Sequence, residues 1–263
     1  MSDSDETGSS ASADGPRVSV RLRYFAIYRQ KLGRSSEERS VAEGTTVSEL
    51  FDEVVAGRPE IQVPALRAAT MLMVNQEYAV ADQVLSEGDE VVFVPPVSGG
   101  SDGAPADGSD GSPGKRFRVG AHPLDPRAVE ALVASPAAGA VITFTGTVRD
   151  NARGEGVSVL VYEAYEPAAE RQLAVIAGEI ADRWPIAVEQ VAIHHRIGRL
   201  EPGVASVVIA VAAAHRDEAY AASRHAIERI KEIVPIWKEE HYAGGAVWIG
   251  SEAAYQDLPD RRS

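Results

Sequence analysis

Residues 101–114 read Ser-Asp-Gly-Ala-Pro-Ala-Asp-Gly-Ser-Asp-Gly-Ser-Pro-Gly, without an apolar side chain larger than alanine or proline. Such a composition cannot contribute to a packed core. A chain of 263 residues interrupted in this way after its first hundred is expected to fold as two bodies rather than one. As flexible coil the stretch spans roughly 20 Å, enough to separate two folded units without fixing them. Just before it stands Phe93-Val-Pro-Pro-Val-Ser-Gly-Gly, ending at Gly100. Two prolines hold an extended backbone, and two glycines remove every side chain that could obstruct a narrow channel. On local composition the segment fits either a linker beginning at Ser98 or a chain terminus placed inside a chain.

The totals set limits. Apolar residues make up 44% and charged residues 25%, as in globular proteins with adequate core material. There is no cysteine, which excludes disulfides, thiolate metal sites and a cysteine nucleophile. Any sulfur chemistry must use sulfur brought from elsewhere. The net charge is -13, but residues 1–16 hold four acids and no base and residues 101–114 hold three acids and no base. The folded parts are therefore only mildly acidic, and nucleic acid is not an expected partner. Residues 1–16 have no large apolar side chain and are expected to be a disordered tail. No basic region followed by an apolar run opens the chain, and the most apolar segment, residues 204–214, is too short to span a bilayer. No membrane partner is expected, and the setting is read as cytoplasmic.

From Arg17 the pattern changes. Val18, Val20, Leu22 and Tyr24 alternate with polar residues, the period of a half-buried strand. A short helix over 26–32 ends at Gly33, Val41 closes a second strand, and Thr45 or Thr46 caps a helix carrying Val47, Leu50, Phe51, Val54 and Val55. Strands follow at 70–74 and 90–94, with turns at Asn75-Gln76 and Gly88-Asp89. This order predicts a sheet with one face covered by a helix.

The final strand and tail, Leu85-Ser-Glu-Gly-Asp-Glu-Val-Val-Phe-Val-Pro-Pro-Val-Ser-Gly-Gly, with Val74-Asn75-Gln76 before it, resemble the small subunit of molybdopterin synthase. That subunit is a ubiquitin-like β-grasp sulfur carrier, and the resemblance covers residues 17–100. It implies that Gly99-Gly100 is the carrier tail and that Gly100 bears a thiocarboxylate. Adenylation by an ATP-dependent enzyme needs a free α-carboxylate, so a protease cutting between Gly100 and Ser101 is also expected.

Beyond the linker a strand is expected near 117–119, a helix starting at Asp125-Pro126, a buried strand over 141–148 and another over 157–165. A helix over 168–184, stopped by Pro185, strands over 186–197 and 204–213, a long helix over 217–234 and short strands over 236–242 and 246–249 complete an α+β domain. The long helix has the inner stripe Ala219, Ala222, Ala226, Ile230 and Ile233.

Two lysines frame its end: Lys231 in the last turn, and Lys238 just past Pro235. Either could be a solvated surface charge, since Glu228 and Glu239 stand nearby and a helix C-terminus favours a cation. An abrupt turn at Pro235 and Trp237 instead predicts both ammonium groups turned toward one concave region. There a partly desolvated lysine beside another cation can act as nucleophile or base. His194-His195 has the look of a metal pair, but neighbours on a strand face opposite ways and no third ligand is evident. No metal and no cofactor are expected.

Phe144-Thr-Gly-Thr-Val-Arg149, Tyr162-Glu-Ala-Tyr165, Ala214-His-Arg216 and residues 231–239 together resemble the large, catalytic subunit of molybdopterin synthase over roughly residues 118–250. The resemblance implies that Lys231 and Lys238 are the catalytic pair, and that Arg149 helps to bind the substrate phosphate. It also implies that His215 and Arg216 line the same anion pocket, with Phe144 as its aromatic wall. The elementary chemistry agrees: a phosphorylated pterin needs a local cluster of cations, and arginine's planar fork suits phosphate oxygens.

The expected organisation is a tail (1–16), a carrier domain (17–100), a linker (101–115), a catalytic domain (116–250) and a C-terminal tail (251–263). The implied activity is sulfur transfer from the Gly100 thiocarboxylate to cyclic pyranopterin monophosphate, forming the molybdopterin dithiolene in molybdenum cofactor biosynthesis. The alternative is a non-enzymatic ubiquitin-like carrier or modifier fused to an anion-binding domain. A homodimer through the C-terminal domain is expected. The long helix would hold His215 and Lys231 roughly 24 Å apart within one copy.

Overall fold

The computed structural model describes residues 15–96, 115–152 and 154–249, so Gly99 and Gly100 and the tails lie outside the described residues. The alternation after Arg17 becomes β1 (Arg17–Tyr24), in which Val20, Leu22 and Tyr24 are buried. β1 runs antiparallel to β2 (Ser36–Ala42) and parallel to β5 (Glu90–Val94). With β3 (Met71–Val74) and β4 (Glu77–Tyr78) the sheet order is β2-β1-β5-β3-β4. α2 (Val47–Val55) lies in the crossover that the parallel pair requires and buries its five apolar residues. Thr46 starts it with a capping box: its hydroxyl accepts the Glu49 N–H at 3.3 Å while the Glu49 carboxylate accepts the Thr46 N–H at 2.8 Å. α1 (Ala26–Leu32) ends at Gly33, at φ 70°. This is the β-grasp arrangement that the sequence implied.

α3 (Pro64–Ala69) and β4 were not anticipated. α3 has only six residues, too few to show a helical stripe, and β4 has two. β4 exists because Asn75 and Gln76 both take positive φ, 52° and 74°, making a two-residue hairpin turn.

The second half contains β6 (Phe117–Gly120), α4 (Pro126–Ala131), β7 (Ala140–Thr147), β8 (Asn151–Ala152), β9 (Glu155–Ala164) and α5 (Glu166–Arg183). β10 (Val191–Arg196), β11 (Gly198–Leu200), β12 (Ala205–Ala213), α6 (Arg216–Ile233), β13 (Ile236–Tyr242) and β14 (Gly245–Ile249) follow. One sheet has the order β6-β10-β12-β7, and another the order β11-β9-β13-β14 with β8 beside β9. α5 and α6 cover the first sheet through Leu173, Ile176, Ala222 and Ile230. Val129 on α4 and Val133 just after it pack against Ala192, Val208, Ala210 and Ala212 on its other face. β12, covered on both sides, is therefore an almost unbroken apolar run.

Two expectations need correction. The strand over 141–148 is not buried: β7 has β12 as its sheet neighbour on one side, and Val141 and Phe144 are exposed. Apolar content alone does not reveal which strand ends a sheet. The segment 186–197 is not one strand either, because a 3₁₀ turn at Val188–Gln190 precedes β10. α5 and α6 are also held together by charge. Glu179 accepts from His225 Nε2 at 2.9 Å and from Arg229 at 2.8 Å. Burial opposes the Glu179 charge, but Arg229 and His225 hold its carboxyl below the usual range.

Candidate active site

Lys231 and Lys238 lie at one end of the catalytic half, on either side of a two-residue connection between α6 and β13. α6 forms because its small and branched residues recur every three to four positions, and Ala219, Ala222, Ala226, Ile230 and Ile233 are all buried. Pro235 ends the helix, and β13 runs back between β9 and β14. Lys231 is exposed in the last helical turn. Lys238 is partly covered, with its Nζ 3.4 Å from Glu240 Oε1.

The first half of the chain grips this connection from both sides. Tyr78 donates its hydroxyl to the Ile233 carbonyl at 2.7 Å, at the C-terminal end of α6. Trp237, adjacent to Lys238, donates Nε1–H to the Pro95 carbonyl at 2.9 Å. Pro95 stands five residues before Gly100. The Phe25 ring stacks on Trp237 at 5.2 Å and 21° and meets Tyr165 at 5.5 Å, while the Arg23 guanidinium lies 5.2 Å and 5.3 Å from the Phe25 and Tyr165 ring centroids. Tyr165 donates to Glu90; burial first, and this carboxylate second, push its hydroxyl well above the usual phenol range. Phe25, Tyr165, Ala168, Trp237 and Trp248 belong to one apolar cluster with the carrier core.

Glu163 completes the contact. It accepts the Ala26 N–H at 3.1 Å and pairs with Arg29 at 3.2 Å. Phe25, the residue ahead of α1, offers no side-chain cap, and Ala26 sits at φ 46°, a conformation that is costly for a residue with a Cβ. Burial pushes the Glu163 carboxyl above the usual range, against the pull of Arg29 and the Ala26 N–H.

Topology decides which other expected residues join the lysines. β7 and β12 are antiparallel with Ala140 opposite Ala213 and Thr147 opposite Ala205, and α6 returns along β12. The end of β7, and with it the exposed Arg149, therefore shares an end of the sheet with Lys231. Phe144 lies midway along β7, 37% exposed, with its ring over Gly146, where an added Cβ would come 3.4 Å from Phe144 Cε1 and 2.7 Å from Val207 Cγ1. His215 and Arg216 stand at the start of α6, and both are exposed. An unbroken helix of 18 residues keeps them roughly 24 Å from Lys231 in the same chain. Strand direction thus sets Arg149 at the same end of the sheet as Lys231, and sets His215 and Arg216 at the other.

His194 and His195 show no ligand-like arrangement. His194 Nε2 meets the Lys115 carbonyl at 2.9 Å, and His195 Nδ1 meets the Arg196 carbonyl at 2.9 Å. Burial pushes His195 down to about 4, so it stays neutral. Glu163 entered the sequence reading only as a member of the Tyr162–Tyr165 motif, with no role of its own, and Glu240 did not enter it. Both were legible only as strand residues two positions from a singled-out neighbour, Tyr165 and Lys238.

A family model described as MoaE protein matches residues 119–233, and one described as ThiS family matches residues 22–100. The molybdopterin synthase catalytic subunit of Halalkalibacterium halodurans is 50% identical over 146 residues, 56% of this chain and 92% of that protein. That of Bacillus subtilis is 47% identical over 146 residues, again 56% of this chain and 92% of that protein. A solved molybdopterin synthase from Staphylococcus aureus is 43% identical and covers 52% of this chain and 98% of that one, with a TM-score of 0.49. Nearly the whole length of the catalytic subunits is matched at up to half identity, and the chain belongs to the molybdopterin synthase catalytic-subunit family, with a ThiS-family domain ahead of it in the same polypeptide.

Proposed function

We propose that residues 17–100 are a sulfur carrier, that residues 116–250 are the catalytic domain it serves, and that the two make molybdopterin. The setting is molybdenum cofactor biosynthesis, read as cytoplasmic; membership of a catalytic-subunit family supports an enzyme over the non-enzymatic alternative. In this reading the chain is cut after Gly100. The freed carboxylate is adenylated by an ATP-dependent partner and converted to a thiocarboxylate, and its sulfur passes to cyclic pyranopterin monophosphate. Two such transfers supply the two dithiolene sulfurs.

The observation that carries the reading is the double grip on the lysine segment. Tyr78 holds the Ile233 carbonyl and Pro95 is held by Trp237, so the carrier meets the lysine segment on both sides of Pro235, five residues before Gly100. The five residues from Pro95 to Gly100 extend at most roughly 17 Å, and this reading takes the thiocarboxylate to the lysines within that reach. Lys231 attacks or assists at the thiocarboxylate and Lys238 supports it. Arg149 binds the substrate phosphate, and Phe144 provides an exposed aromatic wall.

His215 and Arg216 enter this pocket only from a second copy whose α6 runs in the opposite sense, because one helix separates them from Lys231. A two-fold dimer supplies that arrangement twice. The test mixes cut, thiocarboxylated protein with the pterin precursor and follows dithiolene formation. Product is expected; bound precursor without any product would sink the reading. Intact mass measurement on protein from its native cell should show the break after Gly100, and finding only full-length chain in cells that still make molybdopterin without separate carriers would refute the cut.

A further inference from the structure

Glu240 is a buried carboxylate that the proposed chemistry does not use. It is 6% exposed, on a strand whose other charged residues are more open. Alternation along β13 puts Lys238, Glu240 and Tyr242 on one face and Trp237, Glu239 and His241 on the other. Glu240 divides its two oxygens: Oε1 lies 3.4 Å from Lys238 Nζ, and Oε2 accepts the Tyr242 hydroxyl. Tyr162 stands directly opposite Lys238 on β9, its hydroxyl tied to Ser206 and within the electrostatic reach of Glu240. A buried carboxylate is costly unless paired, and Lys238 is the cation that faces this one. Lys231 has no carboxylate within ion-pair distance among the described residues.

We propose that Glu240 is the positioning residue for Lys238: it fixes the ammonium on its face of β13 and keeps it paired, so Lys238 serves as a held cation while Lys231 is the lysine that acts as nucleophile or base. This rests on the reading of the two lysines as the catalytic pair. Tyr242 holds the carboxylate from behind, and the division of labour follows from strand periodicity.

The test compares wild type, Glu240→Gln, Glu240→Asp, Tyr242→Phe and Lys238→Met, each cut after Gly100 and thiocarboxylated with its two halves kept together. Each is read by turnover in the sulfur-transfer assay and by mass mapping of lysine acetylation under limiting acetic anhydride. Glu240→Gln is expected to lower kcat roughly tenfold with little change in KM, as loss of a held geometry does. Acetylation of Lys238 should rise several-fold in the same variant while Lys231 stays constant. Tyr242→Phe should move both readouts the same way but less, and Glu240→Asp should recover part of the loss. Unchanged labelling of Lys238 in Glu240→Gln, or equal changes at both lysines, overturns the proposal. If Glu240→Gln does not fold, Tyr242→Phe decides by the same two readouts. Full activity in Lys238→Met would instead overturn the catalytic reading of the lysine itself.

Discussion

Replacing Phe25 by alanine should release the carrier domain. Phe25 is 6% exposed, stacks on Trp237 and contacts Tyr165, and anchors the Arg23 guanidinium. Truncating a buried phenylalanine costs about 3–5 kcal/mol. Part of that belongs to the carrier's own core, but the two aromatic pairs alone contribute about 1–3 kcal/mol beyond the area they bury. A docking loss of about 3 kcal/mol is therefore expected, roughly two orders of magnitude in the dissociation constant. With a protease site placed in the linker, the two halves of the wild type should stay together after cutting at micromolar concentration, and those of Phe25→Ala should separate on gel filtration. Trp237→Phe is the graded control: it keeps a ring against Phe25 but strands the Pro95 carbonyl, a loss of about 1–3 kcal/mol. If Phe25→Ala halves, each folded by circular dichroism, bind with the wild-type constant, the aromatic cluster does not hold the two domains together.

Three further outcomes follow from the geometry. Mixing an Arg216→Ala chain with a Lys231→Ala chain, each inactive alone, should restore part of the activity if the pocket is shared; inactive mixed dimers would return the whole site to one chain. Glu163 has its carboxyl raised by burial, so its charge opposes docking and that penalty is relieved as pH falls through the raised titration of the carboxyl. Glu163→Gln should therefore dock at least as well at neutral pH and with a flatter pH dependence, measured by calorimetry on the cut halves. Thr46→Ala removes the side-chain half of the α2 capping box and should lower stability by about 1 kcal/mol in urea denaturation, without altering turnover.

Local pattern made most elements legible. The alternation after Arg17, the α2 stripe beginning at Val47 and the α6 stripe ending at Ile233 each carry their period over enough residues to name the element and its inner face. Position within a sheet is not local, so β7 was read as buried although its outer edge has no strand beside it among the described residues. The lysines were legible because Pro235 marks where the helix must stop. Phe25 was passed over, since a lone aromatic between a strand and a short helix has the same pattern whether it serves its own core or a second domain. Glu163 and Glu240 were hidden for a related reason. A glutamate on a strand, beside Tyr162 and Ala164 or among the polar neighbours of Glu240, carries no local sign of a partner, and only the fold brings Glu163 to the Ala26 N–H and buries Glu240 beside Lys238.

The β13 strand explains why the carrier and the catalytic residues can act as one device. Period two sends Trp237 to the carrier and Lys238 to the opposite face, so adjacent residues on a rigid strand report to different partners. A shift of β13 along β9 by one residue would exchange those faces, placing an ammonium against Phe25 and an indole beside Glu240. Register is opposed to such a shift by seven pairings from Ile236 opposite Ala164 to Tyr242 opposite Val157, and by Trp248 on β14 opposite Glu239. Docking of the carrier bears on the same register, because the Pro95 carbonyl and the Tyr78 hydroxyl fix Trp237 and Ile233 on either side of the turn. The carrier's grip and the placement of Lys238 are thus one structural constraint, and loosening the aromatic cluster loosens the lysine with it.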